Sequence, residues 1–133
     1  MPTTTAMTNT LESALINLIL NGTGYTAGQV THIGILSAAG SDSTQTEMSS
    51  SGTRPAIAFG ASSSGSAVTN TAAITFTNSG WGSTSVYGVG FYTSNGVSSP
   101  GTCLLYGNFD SVVTVGAGQS LQFNIGGITI SMD

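Results

Sequence analysis

The most informative property of this 133-residue chain is how few ionisable side chains it contains. Lys and Arg together number 1, Asp and Glu number 5, and charged residues make up 5% of the sequence. An average globular chain carries roughly 25%. With a formal net charge of -4 and Arg54 as the only strongly basic side chain, the protein cannot neutralise a series of phosphates. We therefore predict no nucleic-acid partner.

Cysteine and long hydrophobic runs are also scarce. The single cysteine, Cys103, excludes an intrachain disulfide and a thiolate metal cluster. The N-terminal MPTTTAMTNT has no basic stretch followed by an apolar run, and the longest apolar segment, residues 11–20, is interrupted by Glu12, Ser13 and Asn17. We expect no signal peptide, no membrane span and no membrane partner.

What is abundant predicts a folded chain with a neutral surface. Hydrophobic residues make up 39% of the sequence, which argues against disorder. About 40 residues are Ser or Thr, and a hydroxyl-rich surface gives little electrostatic repulsion between molecules. Extracellular and particle-bound proteins have this composition more often than free cytosolic enzymes. The length predicts one domain that spans residues 1–133.

One segment, TNTLESALINLILNG, has the periodicity of an amphipathic helix at about residues 9–21. The dipeptide Asn21-Gly22 can close its last turn. Ile16 and Leu20 widen the apolar face beyond what a helix lying on one sheet needs, so we expect a second packing partner. The predicted buried stripe follows the i, i+3, i+4, i+7, i+8 spacing and consists of Leu11, Ala14, Leu15, Leu18 and Ile19.

The rest of the chain has the pattern of short strands separated by turns rich in glycine and serine. A polar loop at about residues 40–53 has almost no apolar content and is interpreted as mobile. About seven or eight strands without intervening helices predict a mainly β fold, an antiparallel β-sandwich or partly open barrel with one N-terminal α-helix. The predicted strands lie at residues 30–37, 54–59, 67–77, 83–92, 101–109, 112–115, 121–125 and 128–132.

The strand at residues 83–92 has an unusual alternation. Tyr87, Val89 and Phe91 fall on one face, whereas Gly88 and Gly90 fall on the other. Glycine inside a strand often marks the close approach of another group. We therefore expect something to pack tightly against the glycine face.

A search for chemistry identifies no site. His32 could act as the base of a serine hydrolase, but the sequence has no G-x-S-x-G motif to supply the nucleophile. One His and one Cys are too few to form a zinc site. The glycines near residues 116–118 and 126–127 precede strands rather than helix N-termini, and no Lys is nearby. The carboxylates are scattered over helix, loops and terminus: Glu12, Asp42, Glu47, Asp110 and Asp133. We predict no catalytic, cofactor-binding or metal-binding residues, no cofactor and no enzymatic activity.

Three single residues have two interpretations each. Trp81, between Gly80 and Gly82, is a sugar-stacking platform or a cap on the core, and we favour the core. Arg54 is expected to pair with a carboxylate of this chain rather than with a neighbouring subunit. His32 is expected to be structural rather than catalytic or metal-binding.

The ordered set of segments resembles a family of small tailed-phage virion proteins, often labelled tail-fibre-like, and has some resemblance to capsid cement proteins. The resemblance covers nearly the whole chain. It consists of LESALINLILNGTGYTA, THIGILS, GTRPAIAF, TNTAAITF, the Trp81-Gly82 step, VYGVGFYT, CLLYGNF and VVTVGAGQSLQFNIGGITISMD. The Ser-rich loop and Pro55 depart from the family pattern. The resemblance implies no catalytic residues.

Together these features predict a virion structural protein made in the host cytoplasm. The first hypothesis is a cement or decoration protein on the outer surface of the capsid, which binds the major capsid protein and stabilises contacts between capsomers. The alternative is a tail-fibre or head-fibre component that binds a host receptor or glycan, in which Trp81 and the loops would act. In either case we expect a homo-oligomer, a dimer or a trimer.

Overall fold

A computed structural model describes residues 2–48, 52–61, 67–82 and 85–131. In this part of the chain one helix and eight strands follow each other in an order that places the helix after the first strand. The elements are β1 (Pro2–Met7), α1 (Asn9–Asn21), β2 (His32–Leu36), β3 (Val68–Thr69), β4 (Ile74–Thr77), β5 (Ser85–Tyr92), β6 (Cys103–Thr114), β7 (Ser120–Phe123) and β8 (Thr129–Ile130).

The strands form one larger sheet and two small ones. The larger sheet has the order β1-β6-β5-β2, and the small sheets pair β3 with β8 and β4 with β7. Every strand pair is antiparallel, and no barrel closes among the described residues. The prediction of a mainly β, antiparallel fold with an N-terminal helix is confirmed.

The hydrophobic core joins one face of the larger sheet to the β4–β7 pair. Alternation puts Ile74 and Phe76 of β4 inside and Thr75 and Thr77 outside, as the burial of these residues shows. Phenylalanine rings connect the layers: Phe109 of β6 lies 6.4 Å from Phe123 of β7, centroid to centroid. The buried cluster is made of Ile33, Ile35, Met48, Ile57, Ile74, Phe76, Trp81, Val86, Val89, Phe91, Val115, Leu121, Phe123 and Ile128.

Several strand boundaries differ from the prediction. β1 was not predicted, and the segments expected at 101–109 and 112–115 form the single long strand β6. The predicted strand at 54–59 is wrong: in this region only isolated bridges form, at Ala56 and Phe59. Pro55 explains the interruption, because it has no N–H to donate to a ladder and only its carbonyl accepts, from Ile33 N at 3.0 Å.

The face assignment in β5 is partly wrong. Val86 is fully buried in the core and Tyr87 is only half-buried, because the β5–β6 register shifts between Val86 and Gly88. The glycine face is packed tightly, as expected. A Cβ on Gly88 would lie 2.2 Å from the carbonyl oxygen of Gly107, and one on Gly90 would lie 2.7 Å from the Tyr92 ring.

A second, smaller apolar layer lies on the opposite face of the larger sheet, which we call the outer face. Its residues are buried but do not belong to the core cluster, and on β2 they alternate with Ile33 and Ile35. The first turns of helix α1, through Leu11, and the segment 40–47 lie over this face. The layer consists of Leu11, Leu36, Tyr92, Leu104 and Tyr106.

Candidate docking surface

Helix α1 is fixed to the sheet at its N-cap residue. Thr8, the N-cap, is buried, and its backbone N–H donates to the carbonyl of Leu104 at 3.0 Å. The Thr8 hydroxyl contacts the carbonyl oxygens of Cys103 at 2.9 Å and Leu104 at 3.2 Å. The Thr8 carbonyl then accepts from Glu12 N and begins the helix. These bonds to β6 fix the position of the turn between β1 and the helix.

The polar loop holds the same helix end from the other side. The backbone N–H of Asn9 donates to the Asp42 carbonyl at 3.0 Å, and the Tyr106 hydroxyl donates to Asp42 Oδ1 at 2.7 Å. Asn108 also bonds to both the N–H and the carbonyl of Gly40. The hydrogen bond to Asp42, with burial as a smaller cause, raises the pKa of Tyr106 to about 12. The loop therefore orients α1, a role that its composition did not indicate.

The burial of α1 decreases from its first turn to its last. Leu11 is 9% exposed and Leu15 is half-buried, but Leu18 is 40% and Ile19 is 74% exposed. The predicted buried stripe is therefore wrong in its second half. The body of the protein covers the first two turns, and it leaves the remaining apolar residues of the helix in solvent.

The exposed apolar residues form a second stripe, which we call the outer stripe: Ile16, Ile19 and Leu20. They are 54%, 74% and 75% exposed. Spacings of three and four residues place them side by side on the helix surface. At 100° per residue this stripe lies beside the face that begins with Leu11, and a third, polar face carries Ser13, Asn17 and Asn21. The extra apolar width predicted from Ile16 and Leu20 is therefore an uncovered surface.

The last turn of the helix is properly ended. Gly22 has the left-handed conformation, with φ 66°, and its backbone N–H donates to the carbonyl of Asn17. The Asn21 side-chain amide donates to Asn17 Oδ1 at 2.9 Å on the polar face. The outer stripe is consequently displayed by a capped helix rather than by a fraying terminus.

The single arginine pairs with a carboxylate of the same chain, as predicted. The residues that contact Arg54 form a cluster inside the body, which we call the clamp. Arg54 donates to Glu47 through Nε at 2.7 Å and through a terminal nitrogen at 2.6 Å. Its other terminal nitrogen donates to the carbonyls of Ser94 and Pro100. The guanidinium lies 3.7 Å from the centre of the Tyr92 ring. The bond to Glu47 raises the pKa of Arg54.

The charged groups of this clamp, Arg54 and Glu47, are bonded within the protein itself. The clamp joins the loop after β2 and the loop between β5 and β6 to the outer face of the sheet. Burial, the largest cause, raises the pKa of the neighbouring Cys103 thiol to about 11 and also raises the pKa of Tyr92. A thiol that stays protonated at neutral pH is a weak nucleophile.

The remaining candidate residues are not brought together. Trp81 is 3% exposed within the core cluster, so its ring is not a surface platform for sugars. His32 contacts the Thr31 hydroxyl through Nδ1 at 2.8 Å at the start of β2. Glu47 pairs with Arg54, Asp42 accepts from Tyr106, and Asp133 lies outside the described residues.

In residues 2–48, 52–61, 67–82 and 85–131, no group of three or more His, Cys, Asp or Glu residues is placed to hold a metal ion. Within the same ranges, no helix has the length and apolar character needed to span a membrane.

Comparison with known proteins identifies the family. A search of curated proteins found no significant match. A family model described as Gp80, podophage GP4 fiber I protein gp80, matches residues 6–131, which is nearly the whole chain and includes helix α1 and the clamp. The chain therefore belongs to the podophage GP4 fiber I protein gp80 family, and it is a structural protein of a phage virion.

Proposed function

We propose that this protein is a subunit of a virion fibre and that it is built into the particle through the outer stripe of helix α1. The observation that supports the proposal most strongly is the uncovered stripe itself. Fully burying one Ile or Leu side chain contributes about 1.5–3 kcal/mol. Three such side chains therefore form a surface that gains free energy when a neighbouring subunit covers it.

The way in which α1 is attached supports the same function. Thr8, Asp42 and Tyr106 hold the first turn through hydrogen bonds to β6 and the polar loop. A helix held in one orientation loses little conformational entropy when it docks. The chain has few charged residues, and its only arginine is paired with Glu47. Assembly would therefore depend on apolar contact and shape more than on ionic strength. The family name, which refers to a fibre, agrees with this role.

The experiment is to locate the protein in purified particles. A short peptide tag on the chain and gold-labelled antibody against it, viewed by negative-stain electron microscopy, would place the label on fibres near the tail. Label over the head would support the second candidate described next. Particles that contain no tagged protein, although the tagged chain is folded and expressed, would contradict both.

The second candidate is a cement or decoration protein that binds the major capsid protein. The observation in its favour is the outward face of the β4–β7 pair, where Thr75, Thr77 and Gln122 are exposed and the Thr77 and Ser120 hydroxyls lie 2.9 Å apart. Such a neutral hydroxyl face can lie against a lattice at any salt concentration. Particles lacking a cement protein would lose heat survival and regain it when purified protein is added. Fibre loss would leave the heads equally stable.

A further inference from the structure

Two Asn-Gly dipeptides occur in the sequence, Asn21-Gly22 and Asn95-Gly96. In such a dipeptide the glycine nitrogen can attack the side-chain amide of the asparagine, because glycine has no Cβ to shield its nitrogen or to restrict its backbone. The attack closes a five-membered succinimide ring. The reacting groups are identical at the two positions, so the structure around each pair should decide which of them reacts.

We propose that Asn95 is a modification site, at which the folded protein converts its own backbone to isoaspartate and aspartate without an enzyme, whereas Asn21 is protected. The site lies in the exposed loop between β5 and β6, beside the clamp. It is independent of the proposed function, because it concerns the chemistry of one loop and needs no partner.

The reaction has two steps and uses one water molecule. First, the Gly96 nitrogen bonds to Cγ of Asn95, the bond from Cγ to the side-chain nitrogen breaks, and ammonia leaves with the proton from Gly96. Water then opens the ring. Breaking the new bond to Cγ gives aspartate, whereas breaking the bond to the backbone carbonyl carbon of residue 95 gives isoaspartate. Nothing is oxidised or reduced, and each product has one additional carboxylate.

The Asn95 side chain is held in a position that favours the attack. Its Oδ1 accepts from the backbone N–H of Val97 at 3.0 Å, so the side chain is folded back toward the following residues. Negative charge develops on Oδ1 when Cγ is attacked, and a hydrogen-bond donor already in place stabilises that charge. Gly96 and Val97 are both exposed, so water reaches the ring once it has formed.

The Gly96 nitrogen is equally accessible. Its N–H donates only to the Ser94 hydroxyl, at 3.3 Å, a long bond at the surface that is lost at little cost. The attacking species is the deprotonated amide, whose negative charge is shared with the carbonyl oxygen of Asn95. That oxygen accepts from the backbone N–H of Arg54 at 3.2 Å. The loop therefore stabilises the charge of the nucleophile as well as that of the attacked amide.

At Asn21 the same two groups are already engaged by the helix. The Gly22 N–H donates to the carbonyl of Asn17 and closes the last turn of α1. The Asn21 side-chain amide donates to Asn17 Oδ1 at 2.9 Å, which holds it on the polar face of the helix. Ring closure at Asn21 therefore requires this turn to open first, and the rate is reduced by the small fraction of molecules in which it is open.

The product changes the charge beside the clamp. In isoaspartate the former carbonyl of residue 95 becomes a free carboxylate, at the place where Asn95 now accepts from Arg54. The loop lies against the same arginine on its other side, since a Cβ on Gly96 would be 3.4 Å from Arg54 Cζ. Because the formal net charge of the chain is only -4, one more carboxylate is a large relative change.

Peptide mapping of the full-length chain tests the proposal. The folded protein is incubated at mildly alkaline pH in heavy-oxygen water and then digested with pepsin at acidic pH in ordinary water. Each ring that opens during the incubation incorporates one heavy oxygen, which mass spectrometry assigns to residue 95 or residue 21. We expect residue 95 to incorporate the label at least about tenfold faster than residue 21.

Two controls separate the fold from the sequence. In guanidinium chloride, where both dipeptides are unfolded, the two rates should become similar. Asn95→Gln, whose longer side chain would have to close a six-membered ring, should lose the label at residue 95 and the acidic band on isoelectric focusing, with residue 21 unchanged. Equal rates in the folded chain, or a tenfold difference that persists in guanidinium chloride, overturn the proposal.

Discussion

The sheet body and helix α1 differ in how far their apolar side chains are buried. In the body, most aromatic and aliphatic residues are covered on both faces of the larger sheet, although Val112 of β6 is 47% exposed, and the charged pair Arg54–Glu47 is bonded within the chain. On α1, burial ends after the first two turns, and Ile19 and Leu20 are about three-quarters exposed. The body leaves only scattered apolar side chains such as Val97 and Ile125 in solvent, whereas the helix leaves neighbouring ones exposed together.

This difference separates stability from assembly. Substitutions in the body should lower the free energy of unfolding and leave docking unchanged as long as the chain folds. Substitutions in the outer stripe should leave the free energy of unfolding unchanged and abolish docking.

The core should be the most sensitive part of the body. Phe91 is 1% exposed, and its ring lies 6.0 Å from that of Phe59. Phe91→Ala should lower the free energy of unfolding by about 3–5 kcal/mol, because it removes buried apolar area and leaves a cavity. Urea unfolding followed by fluorescence measures this change. A loss smaller than that caused by the outer-stripe variant would contradict the separation.

The clamp should come next. Arg54→Met removes the bonds to Glu47, Ser94 and Pro100 and leaves a carboxylate that is only 19% exposed without its cation. We expect a loss of about 2–3 kcal/mol, below the value for a fully buried pair because Glu47 keeps some contact with water. Urea unfolding checks it. Arg54→Lys, which keeps the charge but loses the two-pronged geometry, should recover part of the loss.

The contact that orients α1 should be weaker and sensitive to alkali. Tyr106→Phe removes the bond to Asp42 and should cost about 1 kcal/mol at neutral pH. The pKa of Tyr106 is raised from 10.0 to about 12 in the folded state, so the stabilisation is fully present below pH 10 and is lost as the pH rises toward 12. Unfolding between pH 8 and about 12 should therefore show a smaller decline in the variant than in the wild type.

Much of the fold follows from local pattern. The helix bounds agree with the spacing of Leu11, Leu15 and Leu18, and β4 and β7 follow strict alternation. The strand β1 was missed because TTTAM gives no apolar alternation, and its partners in β6 are about 100 residues away. Register shifts, which moved Val86 into the place expected for Tyr87, depend on the pairing of two strands and not on either sequence alone.

The candidate surface was only half predictable. The width of the apolar face on α1 indicated that one sheet would not cover it, but not which half would remain uncovered. That depends on how the chain turns from β1 into the helix, which is determined by the bonds of Thr8 to β6 and of Asn9 to Asp42. The anchoring of residues 40–48 was missed because a Ser-rich loop gives no hydrophobic pattern, and its few anchors are single residues such as Asp42 and Met48.

The outer stripe should affect stability least. The triple variant Ile16→Ser, Ile19→Ser, Leu20→Ser should change the free energy of unfolding of the monomer by less than about 1 kcal/mol in total, because these side chains are already largely exposed. Urea unfolding at low protein concentration, where the chain is monomeric, measures it. A loss comparable to that of Phe91→Ala would show that the body covers the stripe after all.

Incorporation of this same triple variant into particles tests the assembly role of α1 most directly. Particles produced without the wild-type chain are supplied with either the wild type or the variant, and the copy number per particle is measured by quantitative mass spectrometry. We expect the folded variant to be at least about tenfold depleted, with the Ser13→Ala, Asn17→Ala control at wild-type level. Equal copy numbers for the variant and the wild type would contradict a docking role for the outer stripe.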